Sequence, residues 1–219
     1  MGKEKENLND TLQGYINYRN MLCKHIEEYK RAFEENKDRA HNSMVVSAVL
    51  QSTNNIKMLC GKMSPFRYSF YEDISNKLIK NKFLSEKEAK TLSDELKQSV
   101  IGSWRSFIDK QNSLFHIYII DYDKKIFKNL IDTELFKNSI NKDKFIIHKF
   151  PANFYDKISL NHVLEGDDKI VRIEDNLEDH SATVVVKPSE KVVKNLKTTF
   201  EMLDSITEVV PKEDILNEV

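Results

Sequence analysis

Leu8, Leu12, Tyr15, Arg19, Leu22, Ile26, Tyr29 and Phe33 follow one another at alternating spacings of four and three. Seven of these eight positions are apolar or aromatic, and Arg19 is the exception. A run of this kind puts one edge of a long amphipathic helix against a partner, as in a coiled coil. A second run, Val45, Val49, Ser52, Ile56, Leu59 and Met63, has the same rhythm in another register. The intervening DRAHNS breaks the seam, and Asn42 and Ser43 can cap a new helix, so the spacing predicts an antiparallel helical hairpin.

Further helix signals follow. Ser64-Pro65 pairs a cap residue with proline at the first helical position, opening a helix to about Asn81. Ser85 and Glu88 form a capping box ahead of Ala89, Leu92, Leu96, Val100, Trp104 and Phe107 at helical spacing. Five Gly and four Pro in 219 residues leave few breakers for such elements, and no GxGxxG or GxxxxGK[ST] phosphate loop occurs.

The texture changes near Ser113. LFHIYII, KFIIHKF (144–150), KIVRI (169–173) and ATVVVK (182–187) are short runs rich in β-branched and aromatic residues. A helix is expected around 126–140, another after Pro188 on Val192, Val193, Leu196, Phe200, Leu203 and Ile206, and a short one after Pro211. The expectation is therefore an α+β chain. A helical bundle or coiled-coil region over 1–111 precedes a small α/β region over 112–219, with a few antiparallel strands and a closing helix.

Charge is uneven: residues 1–150 carry 26 Lys and Arg against 20 Asp and Glu, and residues 151–219 carry 8 against 15. This is far from the concentrated basic face of a nucleic-acid binder. Cys23 and Cys60 form no CxxC, the opening MGKEKENLND lacks an apolar signal core, and runs such as IYII are too short to span a bilayer. These features lead us to expect a reducing, cytoplasmic setting without membrane contact, and no cofactor.

Several residues invite a chemical reading. Arg19-Asn20 followed by His25 resembles the Arg-x4–6-His signature of HEPN ribonucleases, a family of dimerising helical bundles. The resemblance implies that His25 moves the proton at the ribose 2′-hydroxyl and that Arg19 stabilises charge on the phosphate, without a metal. Yet at about 100° per residue the two side chains lie about 120° apart on an unbroken helix. Asp121 and Asp123, one residue apart at a strand end, are candidates for a divalent cation or for a hairpin turn with Lys124-Lys125. Glu165-Gly166-Asp167-Asp168, Glu174-Asp175 and Glu178-Asp179-His180 form an acidic loop cluster without EF-hand spacing. The six histidines contain no HxH, HExxH or HxxxH pair, so a zinc site would have to be assembled from distant residues.

The first functional reading is a non-enzymatic interaction or scaffold protein. Its seam, with Leu12, Tyr15, Arg19, Leu22, Ile26 and Tyr29 as binding residues, would meet a second copy or a partner protein. The alternative is a HEPN-like ribonuclease acting as a dimer through Arg19 and His25.

Overall fold

A computed structural model describes residues 8–81, 83–151, 161–175 and 181–219. The N-terminal Met-Gly and the cluster residues Glu178, Asp179 and His180 lie outside them. The chain builds an eight-stranded mixed sheet whose strand order is β1-β7-β6-β5-β2-β3-β4-β8. Those strands are β1 (Ala32–Asn36), β2 (Asn55–Cys60), β3 (Leu114–Ile119), β4 (Phe145–Lys149), β5 (Val163–Gly166), β6 (Ile170–Glu174), β7 (Ala182–Val186) and β8 (Glu208–Val209). β2, β3 and β4 run parallel, and the other pairings are antiparallel.

This sheet overturns the expected mainly helical front half followed by a few antiparallel strands. Strands from both sides of residue 111 alternate in it, with β2 between β5 and β3. The coiled coil and the helical bundle are overturned with it. Helix α1 (Leu8–Glu27) ends where Tyr29 takes φ +48°, while the Tyr29 and Lys30 amides bond back to Ile26 and His25 carbonyls. A left-handed residue closing a helix in this way normally calls for glycine. Tyr29 gives no such signal, so the seam rhythm runs on to Phe33 across a real break. Beyond it, β1 takes the sheet edge and leaves Phe33 62% exposed.

The helix starting before the second run is α2 (Arg39–Ser52), capped by Asp38, whose side chain accepts from the His41 amide, rather than by Asn42 or Ser43. Ile56 and Leu59 of that run belong to β2. Helix α2 is buried from Ser43 through Leu50, because α1 and α4 pack on it while its inner side meets the sheet. A helix apolar on all sides is an interior helix. The seam of α1 is thus spent inside the chain: Leu22 and Ile26 are fully buried, and Leu12 and Tyr15 pack on the same core.

A 3-10 turn at Ser64–Phe66 leads to α3 (Tyr68–Lys80), and the capping box is present at the start of α4 (Glu86–Asp109). Helix α5 (Thr133–Asn141) crosses from β3 to β4. These helices share one core with Phe115, Ile117 and Phe145 of the sheet. At its centre the Trp104 ring stacks on Phe145 at 5.4 Å and its indole N–H donates to Ser139 Oγ at 2.9 Å. Helix α6 (Glu190–Ile206) covers the opposite face, where Phe200 and Leu203 meet Leu59, Tyr118 and Phe150. A short α7 (Lys212–Leu216) follows. No helix among the described residues is long and apolar enough to cross a membrane.

Candidate active site at the strand ends

Strands β5 and β6 form a hairpin in which Val163 faces Ile173 and Leu164 faces Arg172. The next rung places His162 opposite Glu174, whose amide donates to the His162 carbonyl at 2.9 Å. The period of two along β6 sends Ile170, Arg172 and Glu174 to the same side, towards the helices. Two charged residues therefore occupy inward positions, at 4% and 3% exposure. Burying ionised groups is costly unless they are paired, and here they pair with each other and with a histidine. Glu174 Oε2 bonds His162 Nδ1, and Glu174 Oε1 lies 3.9 Å from Arg172 Nη2.

The carboxylate sets the imidazole. With Nδ1–H directed to Glu174, His162 presents the lone pair of Nε2 on its other edge. That edge faces Gly61, immediately after β2. A methyl on Gly61 would sit 3.4 Å from His162 Nε2 and 3.6 Å from Asp121 Oδ2. Glycine thus leaves an opening between an imidazole and a carboxylate. The backbone around it is held by Ile120 and Asp121 amides donating to the carbonyls of Cys60 and Gly61. The opening leads into a cavity of about 60 Å³, bordered also by Arg39 and Asn42 from the first turn of α2. A ligand pocket for a whole drug-sized molecule is several times larger. This one has room for the reacting end of a substrate.

Burial pulls the Arg172 guanidinium below its ordinary pKa, opposed mainly by Glu174, yet arginine stays cationic in proteins. Arg39 Nη1 bonds Asp73 Oδ2 at 2.5 Å, and its guanidinium lies over the Phe70 ring. Cys60, also on the cavity wall, has its thiol pushed up to about 12 by burial. A protonated thiol is a poor nucleophile, whereas the His162 imidazole beside it can accept a proton.

Among the residues given a chemical reading in the sequence, Glu174 belongs to this site, Asp121 borders its opening, and the others lie elsewhere. Arg19 ties α1 to α2 and α4: its Nε donates to Ser47 Oγ at 2.8 Å and its Nη2 to Ser103 Oγ at 3.2 Å. His25 has its Nδ1 buried without a hydrogen-bond partner among the described residues, and the contacts of Arg19 do not include it. Leu12, Tyr15, Leu22 and Ile26 face the core, while Tyr29 is 46% exposed beyond the helix end. Asp121 and Asp123 part ways. Asp123 caps the 3-10 turn Lys124–Phe127 by accepting from the Lys125 amide at 2.9 Å, in place of the hairpin turn, and Asp121 borders the opening at Gly61. Asp121 is thus brought to the opening, while Glu174 of the acidic cluster is brought to the cavity wall. The acidic cluster expected in loops instead has Glu165 and Glu174 buried in β5 and β6. The grouping of Glu174 with His162 and Arg172 was missed, although inward parity of two charges along a strand was a readable signal.

No protein-family model and no curated protein sequence matches the chain. Among solved structures, the crystal structure of phosphatidylserine synthase from Haemophilus influenzae Rd KW20 overlaps it with a TM-score of 0.44 and 7% identity. The overlap covers 82% of this chain and 40% of that one, so the chain spans less than half the length of that protein.

Proposed function

We propose that the cavity at the ends of β2 and β3 is a hydrolytic active site acting on a phosphoester, with His162 as its general base. The observation that carries this reading is the His162–Glu174 pair, with Nε2 directed at the opening over Gly61. A carboxylate that fixes the tautomer of an imidazole and stabilises its protonated form is a recurring catalytic arrangement. In the proposed reaction Nε2 takes a proton from an attacking water as the water oxygen bonds to phosphorus and the ester P–O bond breaks. The leaving oxygen departs as its anion or takes a proton from solvent. Glu174 offsets the charge that appears on the ring, and the ring then releases its proton to solvent. The guanidinium groups of Arg172 and Arg39 border the same cavity and supply cationic hydrogen-bond donors of the geometry that phosphate oxygens accept. The reaction divides into binding of the phosphoryl oxygens by arginine and proton transfer by histidine.

The test uses p-nitrophenyl phosphate and bis(p-nitrophenyl) phosphate with the full chain, His162→Ala and Gly61→Ala. Loss of a positioned general base costs on the order of 10²–10⁴ in kcat. Gly61→Ala places its methyl at contact distance from Nε2 without a backbone conflict. It should therefore lower turnover while leaving the thermal midpoint within a few degrees. Turnover equal in wild type and His162→Ala, or no turnover of either ester, would remove the proposal.

A further inference from the structure

On the face of the sheet opposite that cavity, β3 and β4 place His116 and His148 beside each other, and the last turn of α6 brings Asp204 over them. We propose that His116, His148 and Asp204 form a binding site for a divalent transition metal of the zinc type, pinning α6 to the sheet. One ligand atom from each residue lies within 4.8 Å of the others. Tetrahedral zinc with bonds of about 2.0–2.2 Å holds its ligand atoms roughly 3.3–3.6 Å apart, so closure needs side-chain adjustment alone.

The surrounding hydrogen bonds prepare each ligand. Thr207 Oγ1 donates to the Leu203 carbonyl at 2.7 Å, so towards His148 Nδ1, at 3.4 Å, it can only accept. His148 therefore carries its proton on Nδ1 and bares Nε2. That bare nitrogen lies 2.9 Å from His116 Nδ1, which must be the donor between them. Metal entry replaces this hydrogen bond by two nitrogen–metal bonds. The His116 proton passes by exchange with solvent from Nδ1 to Nε2, with no net proton released by the pair. The Tyr118 phenol donates to Asp204 Oδ1 at 2.5 Å and so orients the carboxylate. Thr207 and Tyr118 are thus outer partners of two ligands, as metal sites commonly require.

Two imidazoles and one carboxylate favour zinc, cobalt or nickel over magnesium or calcium, which prefer oxygen alone. With His148 buried, His116 half-buried and Asp204 exposed, an ion enters from the Asp204 side, where a fourth position stays open to water.

The experiment treats the full chain with EDTA, removes the chelator, and titrates cobalt(II) chloride and zinc chloride in separate runs. The expected result is a visible cobalt band saturating at one equivalent, displaced by zinc, together with a zinc-dependent rise in the thermal midpoint. His116→Ala and the surface change Asp204→Asn should each weaken binding at least tenfold and abolish that rise. Tyr118→Phe should weaken it about tenfold through loss of the outer partner. Asp204→Asn alters an exposed side chain and leaves the fold intact, so its result stands even if His116→Ala unfolds. Absence of saturable binding at one equivalent, or binding unchanged in Asp204→Asn, overturns the site.

Discussion

Glu165 on β5 faces Lys57 of β2 on the α6 side of the sheet and is 8% exposed. Burial pushes its carboxyl from 4.5 up to about 7. The amide of Asp168 and the Lys57 charge pull the other way, and Asp167 and Asp168 add to the rise. Because the folded chain holds this proton more tightly than the unfolded chain, folding is favoured below pH 4.5 and loses stability as pH rises from there through 7. At about 1.4 kcal/mol for each pH unit between the two values, the ionised carboxylate costs about 3 kcal/mol above pH 7. Glu165→Gln keeps an oxygen for the Asp168 amide, which donates to Oε1 at 2.5 Å, and removes the titration. Urea denaturation from pH 4 to 8 should give equal stabilities near pH 4. The variant should then gain progressively, reaching 1–3 kcal/mol at pH 8. A difference constant across the range, or one favouring wild type at pH 8, would refute the reasoning.

Two further changes probe packing. Gly166→Ala would place a methyl 2.9 Å from Thr53 Cγ2 and 3.1 Å from Val49 Cγ1. Both neighbours are about 1% exposed, and Thr53 is tied to the Val49 carbonyl, so the change should cost about 1–3 kcal/mol by overpacking, read as a lower urea midpoint. Ser139→Ala leaves the fully buried Trp104 indole N–H without its acceptor. A loss of about 1–3 kcal/mol is expected, with a shift in tryptophan fluorescence as the second readout.

What the sequence revealed follows from which rules are local. Ser85 and Glu88 announce α4 because a capping box needs only four residues, and the β-branched runs of β3, β4, β6 and β7 carry their own signal. Strand β2 escaped because both its faces are covered. NIKMLC lacks alternation, and Ile56, Leu59 and Met63 happen to fall at helical spacing. In β1, AFEEN is an edge strand with little apolar content and no turn signal before it. The cavity residues come together through the β5–β6 register and the arrival of Gly61 beside them. The His116–His148 pair depends on the β3–β4 register, and no spacing rule along one strand contains that relation.

The sheet edge also has a consequence for how the chain is made. Ala32 pairs with Val186, 154 positions later. During synthesis β1 leaves the ribosome early and waits, unpaired, until β7 appears. Meanwhile β2, β3 and β4 can associate through their intervening helices at shorter range. Closing so long a loop slows folding, and an unpaired strand invites pairing with another chain. The interval between β1 and β7 is therefore when this protein is most exposed to aggregation, and when a chaperone holding β1 would raise its yield most.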